Sequence, residues 1–90
     1  MIYNIIGWFE WMIAMRKVIF AARLNEGLDS IGFSQEPGRR LKAFAKLFRL
    51  RTFVASRILS GHIPEKEVLD KIARELEVSP EWLIGRSEVA

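Results

Sequence analysis

The chain has no cysteine, one histidine and only three prolines in 90 residues. Without cysteine there is no disulfide scaffold, no thiolate zinc site and no cysteine nucleophile. His62, standing alone, builds no histidine-based site. No stretch alternates apolar and polar residues for long enough to make a strand, and no internal repeat or low-complexity tract is visible. Paired carboxylates, a nucleophile-base set and a glycine-rich phosphate loop are missing too, so neither an enzyme nor a cofactor is expected. A second domain would need roughly another hundred residues.

What is present is 50% hydrophobic and 28% charged, with a net charge of +3. The average hides a sharp segregation. Residues 1–38 carry three basic and four acidic side chains, and residues 58–90 carry four basic and seven acidic. Between them, residues 39–57 hold Arg39, Arg40, Lys42, Lys46, Arg49, Arg51 and Arg57 with no acid at all. Half of the positive charge thus lies in nineteen residues, a block suited to nucleic acid, to an acidic membrane surface or simply to a solvated face.

Residues 1–15 are apolar and aromatic with Glu10 as their one charge, followed at once by Arg16 and Lys17. This is shorter than the roughly 20 apolar residues of a spanning helix, and the charge follows the apolar run where a secretory signal places it before. Three readings stand. The segment is an extra helix whose Ile2, Ile5, Ile6, Phe9 and Ile13 cover the domain or a partner, or an extension upstream of a start at Met15, or a tilted membrane anchor. The last is the least expected, and a cytoplasmic chain is the expectation.

Helical periodicity accounts for the rest. Val18, Ile19, Ala21, Ala22, Leu24, Leu28 and Ile31 mark an amphipathic helix over residues 17–30, ended by Gly32. After a connection rich in glycine and proline, residues 39–48 place Leu41, Phe44, Ala45 and Phe48 on one face and leave Arg40, Lys42, Lys46 and Arg49 pointing outward. Residues 50–52 break the phase, and a short helix runs from Phe53 to Leu59 before Ser60 and Gly61 stop it. A fourth helix covers residues 65–76, and Ser79 with Pro80 opens a last short one. The expected fold is all-α: five helices over residues 16–90, plus the apolar N-terminal helix or extension.

Two short helices joined by a tight turn, at about residues 39–61, with the positive block running through both, are what a helix-turn-helix requires. Residues 41–63 (Leu-Lys-Ala-Phe-Ala-Lys-Leu-Phe-Arg-Leu-Arg-Thr-Phe-Val-Ala-Ser-Arg-Ile-Leu-Ser-Gly-His-Ile) resemble that motif in the lambda-repressor-like (Cro and repressor, XRE) family. Downstream, Val78-Ser79-Pro80-Glu81-Trp82-Leu83-Ile84-Gly85 is similar to the ends of small phage or prophage repressor DNA-binding domains. The likeness covers residues 17–86 and leaves the N-terminal segment outside. Two positions depart from the pattern: Arg49 stands where the turn usually has glycine, and Arg51 where the second helix usually has a serine or threonine cap.

The resemblance implies a transcriptional regulator that binds an operator in double-stranded DNA as a homodimer, its recognition helices about 34 Å apart. It carries base reading onto Thr52, Phe53, Ser56 and Arg57, and phosphate contact onto Arg39, Arg40, Lys42, Arg51 and His62. Each has a plainer alternative. Phe53 competes with Leu50, Val54 and Ala55 for the interior, Arg57 has acids such as Glu81 to pair with, His62 is an ordinary loop histidine, and Trp82 is a core anchor. From a different class, the chain is a protein-interaction module, an antitoxin or adaptor that works through its apolar N-terminus.

Overall fold

The computed structural model describes the backbone of residues 2–90 and the side chains from Gly7 onward. Among these residues the fold is all-α, with no strand. The helices are α1 (Ile2–Ser30), α2 (Pro37–Phe48), α3 (Thr52–Leu59), α4 (Lys66–Leu76) and α5 (Pro80–Leu83). The apolar N-terminal segment is not a separate element. Between Gly7 and Gly27 no glycine or proline interrupts the chain, so the helix continues through Met15 and reaches 29 residues. At 1.5 Å per residue that is about 44 Å, close to the 47 Å long axis of the whole molecule.

Only the second half of α1 enters the core. Phe20, Leu24 and Leu28 are fully buried, and they meet Phe44, Phe48, Ala55, Ile58, Leu69, Ile72, Leu76 and Leu83 from the other four helices. The rings of Phe44 and Phe48 lie 4.9 Å apart in a tilted pair. Contacts run from α1 to α3 and α5, from α2 to α3 and α4, and from α4 to α5. Before Phe20 no described side chain of α1 is fully covered; Trp8, Phe9, Trp11, Ile13, Met15 and Val18 are exposed. Ile2, Ile5 and Ile6 lie outside the described side chains.

Caps set the element boundaries. Glu36 accepts hydrogen bonds from the Gly38 and Arg39 amides at 3.1 and 2.8 Å, which starts α2 at Pro37, two residues earlier than the periodicity places it. Ser79 accepts from the Trp82 amide at 3.1 Å and opens α5 at Pro80, as expected. All five helices end alike, with an amide two or three residues past the helix returning to a carbonyl five residues back. The pairs are Phe33 to Leu28, Leu50 to Ala45, His62 to Arg57, Val78 to Ala73 and Arg86 to Glu81, at 2.8–3.0 Å.

Each of these exits needs a residue at positive φ, and three of the five use glycine. Gly61 has a second constraint: at φ 117° a Cβ would also stand 2.9 Å from the Lys17 carbonyl oxygen, so its missing side chain lets α1 approach the end of α3. The other two exits use Arg49 at φ 54° and Glu77 at φ 58°. A left-handed conformation costs an L residue about 1 kcal/mol, and at Glu77 a negative charge also meets the negative end of the α4 dipole. Replacing Glu77 with glycine should raise the thermal midpoint by about 4–8 °C. An unchanged or lower midpoint in a melt followed by circular dichroism contradicts the left-handed exit.

The C-terminal residues are tied down by Arg23. Its guanidinium covers the Trp82 ring at 4.8 Å and donates to the backbone carbonyls of Trp82 and Ser87. Trp82 is half-buried against the core, with one face occupied by this cation.

Candidate nucleic-acid interface

The segment of interest is α2, a three-residue turn and α3. Arg49 takes the left-handed position that closes α2, and Arg51 enters α3 in an extended conformation, φ −64° and ψ 146°. The exit of one helix and the entry to the next are thus fused into Arg49, Leu50 and Arg51. No side chain caps α3, which leaves its first-turn amides without a protein side-chain acceptor.

With eight residues, α3 has one buried side and one bare one. Ala55 and Ile58 are buried and fill the inner side. Thr52, Phe53, Ser56 and Arg57 are all exposed. Phe53 is 71% exposed, so the core reading of this phenylalanine does not hold. The phase set by Ala55 and Ile58 turns it outward, and Leu50 takes up the half-buried position at the rim of the core. The Arg57 guanidinium lies 5.9 Å from the Phe53 ring, one turn away along the helix. It makes no ion pair among the described residues, with Glu81 or with any other acid.

Arg40 is a correction. It does not point outward with Lys42 and Lys46 but is 8% exposed, the one charged side chain in the buried set among the described residues. Its Nε donates to the Ser34 carbonyl at 2.8 Å and its Nη1 to Asn25 Oδ1 at 3.0 Å, while Nη2 pairs with Asp29. These bonds join α2 to α1 and to the connection between them. With four of its five N–H donors engaged and the side chain buried, this guanidinium is not presented to a phosphate, and Arg40 leaves the phosphate set.

Arg39, Lys42 and Arg51 are exposed and make no ion pair among the described residues. Lys46 and Arg49, which the family likeness does not select, share that condition. Both belong to the acid-free block, so charge distribution alone points to them. His62 is exposed just past α3, and its amide completes the α3 exit by donating to the Arg57 carbonyl at 2.9 Å.

Among the described residues no group of three histidine, cysteine or acidic side chains could hold a metal ion, and no helix is long and apolar enough to cross a membrane. No family model, no curated protein and no solved structure matches the chain.

Proposed function

We propose that this chain binds double-stranded DNA sequence-specifically and regulates transcription by occupying an operator, with α3 as the helix that enters the major groove. The observation that carries the reading is the outer side of α3. It presents Thr52, Phe53, Ser56 and Arg57 together, with a phenylalanine left 71% exposed. The resemblance of residues 41–63 to the lambda-repressor-like helix-turn-helix supports the same assignment.

The chemistry follows from the groove. Arg57 is suited to a bidentate contact with guanine O6 and N7, Phe53 to a thymine methyl, and Thr52 and Ser56 to donors or acceptors on base edges. Arg39, Lys42, Arg51 and the uncapped start of α3 face phosphates, and Lys46, Arg49 and His62 widen that positive surface. Phosphate contacts set the register of α3 in the groove, and base contacts choose the sequence.

Selection of bound duplexes from a random pool tests this. The expected result is a recurring motif of a few base pairs per half-site. Arg57→Ala should relax the preference at one guanine position, since a good bidentate contact discriminates by about 1–3 kcal/mol. A pool that shows no enrichment over repeated rounds at low salt rules out sequence-specific binding.

The exposed aromatic half of α1 favours an association role for that segment. Association through α1 and DNA binding through α3 use different surfaces of the molecule.

A further inference from the structure

Under the DNA-binding reading, Phe53 and Arg57 make separate base contacts. We infer that the two side chains act as one unit, in which Phe53 is a positioning residue for the Arg57 guanidinium, and that the operator half-site carries a thymine and a guanine no more than two base-pair steps apart. Resting on that reading, the coupling adds which bases are chosen together and which side chain enforces it.

Arg57 has no other partner to orient it. It is exposed and makes no ion pair among the described residues. On a helix the side chains within reach are those three and four positions away, and for Arg57 these are Phe53, Val54, Ser60 and Gly61, with no acid among them. The group that meets the guanidinium is the Phe53 ring, whose centroid lies 5.9 Å from its central carbon. A long side chain loses much rotamer freedom when it is fixed on a base. A ring that already holds the guanidinium removes part of that loss before DNA arrives.

Burial does not account for Phe53, which is 71% exposed. One face of its ring is turned to the cation and the rest to solvent. Attraction between a guanidinium and an aromatic face strengthens when water is stripped from both, so a contact that is weak in the free chain tightens in a groove. The other exposed side chains of the set, Thr52 and Ser56, are short. Phe53 and Arg57 therefore reach furthest from α3.

The bases follow from what each group can contact. Thymine alone offers a methyl on the major-groove edge, the match for an apolar ring, and guanine alone offers two acceptors side by side, the match for a fork of N–H donors. Neighbouring base pairs lie about 3.4 Å apart, so two groups 5.9 Å apart fall within two steps of each other.

Phe53→Leu separates the unit from two independent contacts, because leucine keeps an apolar contact for the methyl and lacks the aromatic face. Affinities are measured by competition for the selected duplex and for duplexes with the thymine or the guanine pair replaced. In F53L the preference for guanine should fall by about threefold to tenfold, while the preference for thymine changes by less than about twofold. Phe53→Ala should lose both preferences, and R57A the guanine preference alone. In an R57A background, F53L should leave the guanine position untouched, the non-additivity expected of coupled side chains. Melting curves of F53L should overlay wild type, since the ring is exposed, and its salt slope should be unchanged, since no charge is altered.

A guanine preference that F53L leaves intact overturns the inference. So does a loss spread evenly over all positions, an equal effect of F53L with and without Arg57, or a selected motif with no thymine within two steps of the guanine. Each of these, found on an enriched motif, leaves sequence-specific binding standing. A pool without any enrichment removes that reading and the inference with it.

Discussion

Arg40→Ala lowers the unfolding free energy by about 2–4 kcal/mol, whereas Lys42→Ala, two residues along the same helix, changes it by less than about 0.5 kcal/mol. Both positions are basic and both lie in the acid-free block. Their surroundings separate them: Arg40 is 8% exposed, whereas Lys42 stands in solvent. Removing the guanidinium strips a donor from the Ser34 carbonyl and from Asn25 Oδ1. The Asp29 pair contributes less, because the Asp29 side chain is 45% exposed and water screens it. In a domain of total stability about 5–10 kcal/mol, such a loss shifts the midpoint by about 10–25 °C. Urea melts of the two variants measure the difference, and an Arg40→Ala chain as stable as wild type removes the structural role assigned to this residue.

The second large effect concerns affinity. Neutralising Arg39, Lys42 and Arg51 together to glutamine should weaken duplex binding by about a hundredfold to a thousandfold near physiological salt and make the log-log salt slope shallower by about 2–3. The three side chains are exposed and make no ion pair among the described residues, so the melting curve should move little. Loss should be uniform across sequences, since phosphates carry no base identity. Arg57→Ala differs in kind, with a smaller change in slope and a broader preference at one position. A triple variant that keeps wild-type affinity and slope places the DNA contact elsewhere.

Much of the fold was legible because its physics is local. The four-residue spacing of Leu24 and Leu28, the Ser79-Pro80 helix start and the glycine exits at Gly32, Gly61 and Gly85 all depend on neighbours in sequence, whereas the periodicity passed over the buried Phe20 and chose Val18, which is exposed. Arg49 was marked as a departure, standing where the family pattern has glycine, and the structure gives it the left-handed conformation. Glu77 was not, because nothing in the residue type announces a positive φ. The division at Met15 followed charge and composition, but helix continuity obeys propensity, and Arg16 and Lys17 are good helix formers.

The candidate site was legible by residue type and less so by orientation. Arg40 shares the inner stripe with Phe44 and Phe48 at four-residue spacing, which was a readable sign that it turns inward. Its partners Asp29 and Asn25 lie 11 and 15 residues away across a connection, beyond what periodicity reports. Phe53 failed in the opposite sense. An apolar side chain is expected inside, yet on an eight-residue helix Ala55 and Ile58 fix the inner side and leave no place for it.

Binding of duplex DNA by the exposed cations of α2, the turn and α3 is tested most directly by one titration. Affinity for a duplex of about three helical turns is measured from 50 to 200 mM salt. With Arg39, Lys42, Lys46, Arg49, Arg51 and Arg57 exposed, the logarithm of affinity should fall linearly with the logarithm of salt at a slope of about −4 to −5. No binding at 50 mM salt, or binding that salt does not weaken, contradicts the assignment.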